Sequence, residues 1–262
     1  MIKQIIDIAV AAGEEILRHY GCSESVQQKN DLSPFTVADQ CAHNLIVRAL
    51  QDLTPGIPAL SEEGGAIELD NWKGETRYWL VDPLDGTKEF LNATGEFTVN
   101  IALIEGDHPV LGVVHVPVKG ITYTGVTGSE ARRWQAGKSI SIRTRDSNPD
   151  QLTVVVSRDH TGPVVEALLA RLPKARTVSM GSSFKFCLVA EGLADLYLRD
   201  RPTMEWDTGA AQCIVEAAGG RVLDLAGLPL RYRKPAWKNP PIVTVGDDVT
   251  DWRSLIESTT LG

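Results

Sequence analysis

Between Arg77 and Arg143 the chain carries five short runs of β-branched and aromatic residues: Tyr78 to Val81, Phe97 to Ile104, Val110 to Val116, Ile121 to Val126 and Ser139 to Ile142. Turn residues separate them, and Gly106-Asp107-His108-Pro109 has the composition of a hairpin connection. Such strands are naturally arranged as an antiparallel meander. Ahead of them, Ile2, Ile5, Ile6, Ala9, Val10, Ile16 and Leu17 recur as one face of an amphipathic helix. A short strand at Val26 to Lys29 and a polar loop, Asn30 to Pro34, follow. Thr36 and Asp39 then have capping-box spacing, with Asp in place of Glu, before Leu45, Ile46, Ala49 and Leu50 mark a second helix.

After the polar segment Thr144 to Gln151 the pattern changes to alternation of strand and helix. Strands are expected at Leu152 to Val156, Thr177 to Met180, Ala194 to Leu198, Arg221 to Asp224 and Ile242 to Val245. Helices are expected at Val164 to Leu172, Phe184 to Glu191 and Thr208 to Ala218, the last ended by Gly219-Gly220. The chain therefore reads as residues 1–148, an α+β half with an antiparallel sheet, and residues 149–262, an α/β half. With 262 residues and 43% hydrophobic content it can bury a sizeable core. The 26 basic and 34 acidic residues give a net charge of −8, which argues against a nonspecific nucleic-acid surface. No long apolar run is present, the opening helix does not read as a signal peptide, and a cytoplasmic protein without an integral membrane segment is expected. Cys22, Cys41, Cys187 and Cys213 have neither metal-ligand nor disulfide-framework spacing and read as reduced core thiols.

Chemistry concentrates where the first strand of the meander ends. Trp79 to Phe90 runs from apolar residues into Asp82-Pro83-Leu84-Asp85-Gly86-Thr87, leaving two carboxylates at a tight turn. Such residues also make ordinary polar turns. Two further acidic turns, Ser61-Glu62-Glu63 and Glu205-Trp206-Asp207-Thr208, point instead to one shared site. Close carboxylates repel unless a cation lies between them, and an all-oxygen set suits Mg²⁺.

These motifs, in this order, with Pro34-Phe35-Thr36-Val37-Ala38-Asp39 upstream, resemble the magnesium-dependent, lithium-sensitive phosphatases related to inositol monophosphatase. The resemblance covers nearly the whole chain. Lys88-Glu89-Phe90, Gly95 to Asn100, Gly181 to Cys187 and Pro202 to Asp207 are similar to the branch acting on 3'(2'),5'-bisphosphate nucleotides. The implied fold is a layered αβαβα sandwich with its site between the halves. The implied metal ligands are Glu62, Asp82, Asp85, Asp207 and the Leu84 carbonyl, with Asp85 bridging and two or more Mg²⁺ ions per site. Glu62, Asp85 and Thr87 would be catalytic, Thr87 and Glu62 positioning the attacking water. Leu84, Gly86, Thr87, Lys88, Ser182, Ser183, Lys185 and Asp207 would meet a small phosphorylated nucleotide. The expected reaction is hydrolysis of adenosine 3',5'-bisphosphate to AMP, with its sulfate-activated analogue as a further substrate. A homodimer and peripheral attachment at the inner face of the membrane are compatible with the resemblance.

Blander readings stand beside several of these. Asp207 would N-cap the helix from Thr208, Asp39 has its capping role, and Lys88 would lie solvated. Gly181-Ser182-Ser183 would be a serine cap with Lys185 on a wet face, Glu63 competes with Glu62, and Asp31 is an ordinary loop carboxylate. The five histidines share no ligand spacing. Inositol monophosphate or fructose 1,6-bisphosphate would be alternative substrates, and a catalytically silent, metal-dependent nucleotide-binding regulator is the reading from another class.

Overall fold

The computed structural model describes residues 1–22, 27–28, 34–64, 76–158, 162–234, 236–247, 252 and 254–255. Asp31 and His160 lie outside the described residues. Helix α1 (Ile2–His19) buries Ile5, Ala9, Ala12 and Ile16, a stripe at spacings that bring residues onto one face. The ribbon of β1 (Gln27–Gln28) and β2 (Pro34–Phe35) leads to α2 (Val37–Leu53). Thr36 caps α2: its amide donates to Asp39 Oδ2 at 2.8 Å and its Oγ1 accepts from the Asp39 amide at 3.4 Å.

Strands β3 (Ala59–Ser61), β4 (Arg77–Asp85), β5 (Thr98–Glu105), β6 (His108–Val116), β7 (Ile121–Val126), β8 (Arg132–Gln135) and β9 (Lys138–Ser141) form one sheet in that order. The short helix α3 (Thr87–Leu91) joins β4 to β5. From β4 to β9 every pairing is antiparallel, as the turn spacing required, while β3 adds in parallel to β4. Strands β3 and β8 were not foreseen. Arg132-Arg133-Trp134-Gln135 has little β-branched character, and its pairing with β7 comes from its tertiary neighbours rather than from its own preference.

The second sheet is built from β10 (Thr153–Ser157), β11 (Arg176–Met180), β12 (Leu196–Arg199), β14 (Arg221–Asp224) and β16 (Ile242–Val245), in the order β11-β10-β12-β16-β14. Strands β10, β11 and β12 run parallel, and β16 is antiparallel to both its neighbours. Between them come α4 (Pro163–Arg171), α5 (Phe184–Ala190) and α6 (Gly209–Ala217), with a small ribbon of β13 (Thr203–Met204) and β15 (Lys238–Asn239).

Strand alternation decides the layers, because successive side chains face opposite sides of a sheet. Trp79, Val81, Ile101 and Leu103 pack with α1 and α2, whereas Tyr78, Leu80, Ala102 and Ile104 pack with α5 and α6. In the second sheet Val155 and Tyr197 face α5 and α6, while Val154, Leu196 and Leu198 face α4. The result is the expected αβαβα sandwich, with α5 and α6 as its middle layer. Helix α6 lies directly on the large sheet: a Cβ on Gly112 or Gly125 would collide with the carbonyl of Ala210 or Cys213.

Two corrections concern polarity. Cys187 and Cys213 are buried thiols, but Cys22, just past α1, is exposed and Cys41, on the flank of α2, is half-buried. Lys185 is not on a wet face; every residue of α5 is buried because that helix is enclosed between the two sheets. Among the described residues no helix is long and apolar enough to cross a membrane.

Candidate active site

The parallel pairing of β3 with β4 sets Ser61 against Val81, so the chain leaves β3 with Glu62 level with Asp82. A hydrogen bond of 2.8 Å between Ser61 Oγ and His43 Nδ1 fixes that strand end against α2. On the other side of β4 the ladder slips: Asp82 pairs with Asn100 and Asp85 with Thr98, so β4 carries one extra residue. Pro83 sits in this bulge, where its missing donor costs no ladder bond. The Leu84 amide donates to Asp82 Oδ1 at 3.1 Å, while the Leu84 side chain packs into the core under α1 and α2. Gly86 then turns the chain with φ +94°, a left-handed conformation that a side chain disfavours.

Asp207 lies in a 3₁₀ turn, Glu205–Asp207, that follows β13. Its Oδ2 accepts from the Met204 amide at 2.8 Å, so it does not cap α6; Thr208 holds the cap position, with no side-chain cap bond. The turn is anchored by Glu205, which is fully buried and accepts from the amides of Arg233 and Lys234 at 2.9 and 2.8 Å.

Carboxylate oxygens of Glu62, Asp82 and Asp207 all lie within 4.8 Å of one another. Asp85 is not in this close group. Its Oδ2 accepts from the Ser183 amide at 2.6 Å, from the Ser183 hydroxyl at 2.5 Å and from Asn100 Nδ2 at 3.3 Å. The same hydroxyl lies 2.6 Å from the Asp207 carbonyl, and its single proton can serve only one of the two oxygens at a time. Ser183 therefore ties Asp85, at the end of β4, to the turn that carries Asp207, and does not act as a side-chain cap of α5.

Burial pushes the Asp82 carboxyl well above the usual carboxylate range, and the charges of Glu62, Asp85 and Asp207 push it further. Burial likewise raises Asp207, reinforced by Asp85 and Glu62 and opposed by the Met204 amide and Arg199. Repulsion of this kind is relieved by a cation. An all-oxygen donor set with no His or Cys fits a hard divalent ion better than zinc or copper.

These groups border a cleft of about 210 Å³. Glu62, Asp85, Gly86, Thr87, Lys88, Ser182, Ser183, Lys185 and Asp207 line it, so nearly all the expected site residues converge there. Asp82 lies below its floor, only 1% exposed. Glu63 follows Glu62 in a 3₁₀ turn and is absent from both the close carboxylate group and the cleft wall. Ser182 is held at φ +49°, unusual for a residue with a side chain and common at binding sites. Sequence reasoning missed Asn100, Ser157 and Arg199. Asn100 was legible only as a strand residue, and its contact with Asp85 follows from the slipped register.

The inositol monophosphatase family model matches residues 1–248. A 3'(2'),5'-bisphosphate nucleotidase CysQ of Escherichia coli O6:H1 is 45% identical over 245 residues, 92% of this chain and 97% of the relative. The counterpart from Salmonella typhimurium is 46% identical over the same shares. A crystal structure of CysQ from Bacteroides thetaiotaomicron superimposes with a TM-score of 0.81 at 41% identity, covering 94% of this chain and 96% of that one. With the layered fold and the acidic turns in the family's order, the chain belongs to the inositol monophosphatase family, in its CysQ branch.

Proposed function

We propose that the protein is a 3'(2'),5'-bisphosphate nucleotidase that hydrolyses adenosine 3',5'-bisphosphate to AMP and phosphate, with 3'-phosphoadenylyl sulfate as a further substrate. The observation that carries this reading is the convergence of Glu62, Asp82 and Asp207 beside a cleft lined by Thr87, Ser182 and Lys185. Nucleotidase relatives at 45% identity over 97% of their length support the substrate. Residues 1–148 and 149–262 act as two halves that meet at this cleft, each supplying part of its wall.

Glu62, Asp82, Asp85, Asp207 and the Leu84 carbonyl would hold Mg²⁺, two or more ions per site. Bound there, the metal supplies positive charge that lets water approach an anionic ester and lets the sugar alkoxide leave. Thr87 and Glu62 orient the attacking water, and Glu62 draws its proton. The new bond joins water oxygen to phosphorus as the bond from phosphorus to the ribose oxygen breaks, the departing oxygen taking a proton from solvent water in place of the one given to Glu62, so no residue becomes phosphorylated. Lys88, Lys185 and the Ser182-Ser183 turn hold the phosphorylated nucleotide in place.

The test is phosphate release from adenosine 3',5'-bisphosphate, inositol 1-phosphate and fructose 1,6-bisphosphate, with and without Mg²⁺, compared as kcat/KM. Preference for the nucleotide is expected; preference for either sugar phosphate would move the substrate, and no turnover of any would overturn the phosphatase reading. Ser183→Ala should raise the Mg²⁺ concentration for half-maximal activity by about 10- to 100-fold, the usual effect of removing a group that orients a ligand. An unchanged Mg²⁺ requirement would mean that Asp85 does not depend on its Ser183 contacts.

A further inference from the structure

Away from the cleft, packing of α1 on α2 brings together three metal-ligating side chains whose sequence spacing gives no such sign. Glu15 and His19 are four residues apart on α1, so they lie one above the other on one face of that helix. Ile16, between them in sequence, belongs to the buried stripe that shares a core cluster with Ala38, Ala42 and Ile46 of α2. Cys41 directly precedes Ala42 and comes up at the rim of the same helix contact, half-buried and with a free thiol. One ligand atom from each of Glu15, His19 and Cys41 lies within 4.8 Å of the other two.

Glu15 Oε1 and His19 Nε2 are 3.7 Å apart, their side chains 22% and 25% exposed. That separation is too long for a good hydrogen bond. It is the separation of two atoms that share one ion: ligands of a tetrahedral zinc stand about 2.0–2.3 Å from the metal and hence roughly 3.3–3.8 Å from one another. The Cys41 sulfur, at most 4.8 Å from either, lies within about 1 Å of that geometry. Arg18, itself 71% exposed, meets the other oxygen of Glu15 and leaves Oε1 turned to His19. One sulfur, one nitrogen and one oxygen, with solvent on the open side, form a set of different chemistry from the all-oxygen cluster of Glu62, Asp82 and Asp207. A hard ion suits that cluster, whereas thiolate and imidazole favour a softer one.

We propose that Glu15, His19 and Cys41 form a zinc site, separate from the acidic cluster, in which the ion clips the end of α1 to the start of α2 with water in the fourth position. As the zinc–sulfur bond forms, the Cys41 thiol gives up its proton to solvent. Both clipped helices reach the region behind the acidic cluster. Tyr20, next after His19, has its ring centroid 5.6 Å from that of Phe90 in α3 and 5.1 Å from that of Phe97 before β5. His43, two residues after Cys41, holds Ser61 just ahead of Glu62. The ion therefore stiffens the scaffold and takes no part in the hydrolysis. The site stands or falls independently of the nucleotidase reading.

The decisive measurement is titration of the reduced protein with Co²⁺, with Mg²⁺ in excess so that the acidic cluster is filled, in wild type, Cys41→Ser, His19→Gln and Cys22→Ser. Co²⁺ shares the ligand preferences of zinc and gives a strong absorption band only when a thiolate binds it. Wild type and Cys22→Ser should show the band at one ion per chain, and added Zn²⁺ should displace it. Cys41→Ser should lose the band, and His19→Gln should weaken Zn²⁺ binding about 100-fold or more, at least the loss caused by removing a group that only orients a ligand. Zn²⁺ at 100 times its dissociation constant should raise the Tm of wild type by roughly 5–10 °C and leave that of Cys41→Ser nearly unchanged. Cooperative melting in chelator shows that each variant folds, whether or not the protein turns over any phosphate ester. Absence of the band in wild type would overturn the site, as would a band lost in Cys22→Ser but kept in Cys41→Ser, or equal Zn²⁺ stabilisation of wild type and Cys41→Ser.

Discussion

Replacing Asp82 with Asn should nearly abolish turnover, by about 10³-fold or more, while making the metal-free protein more stable. Asp82 is 1% exposed and shares its surroundings with Glu62, Asp85, Asp207 and Glu63, so its ionised form is opposed first by loss of water and then by four like charges. Asparagine keeps the size and can keep the Oδ1 acceptor used by the Leu84 amide. It removes the charge. Removing a buried charge that its surroundings disfavour should therefore raise the Tm of the metal-free protein, by roughly a few degrees for a chain of this size. Thermal unfolding in chelator, alongside single-turnover phosphate release, checks both halves. Loss of activity together with loss of stability would make Asp82 a structural residue rather than a ligand. The combination expected here is that of a site whose electrostatics are set for function at the expense of stability.

The parts of the molecule that the sequence made legible are those governed by local chemistry. The turns between β5, β6 and β7, the Thr36–Asp39 cap and the strand Arg221–Asp224 all follow from residue preference and alternation. Glu62, Asp82 and Asp207 were legible because acidic turns at strand and helix ends are conspicuous against apolar flanks. What could not be read was produced by pairing. Glu62 is level with Asp82 because β3 is parallel to β4, and three residues with a Glu just beyond do not announce a strand. Arg199 ends an apolar strand and looks like a polar stop; only its register with Ser157 places both in the cleft. Lys185 could be taken for a solvated lysine because a seven-residue helix gives no sequence sign that both of its sides are covered. Asp207 looked like a helix cap for a related reason: the 3₁₀ turn that redirects its carboxylate depends on Glu205, whose backbone partners are 28 and 29 residues away.

Mg²⁺ should stabilise the protein, and more strongly as pH rises. Asp82 and Asp207 both titrate above the ordinary carboxylate range in the metal-free fold. A carboxyl whose folded pKa is raised favours the fold below its unfolded value and loses that contribution as pH climbs through the folded value. The metal-free protein therefore loses this part of its stability from the ordinary carboxylate range upward, until both groups are ionised. The ion binds the ionised form, so it competes with protons at low pH and meets a prepared, mutually repelling set at higher pH. At an Mg²⁺ concentration 100 times its dissociation constant the gain is about 2.7 kcal/mol, or roughly 5–10 °C in Tm. Other carboxylates contribute their own pH dependence, and subtracting the behaviour of Asp82→Asn isolates the cluster. Melting curves at several pH values, with chelator and with Mg²⁺, should show the metal-induced shift growing with pH in wild type and shrinking sharply in the variant. A shift of equal size in both proteins would place the bound ion somewhere other than among Glu62, Asp82 and Asp207.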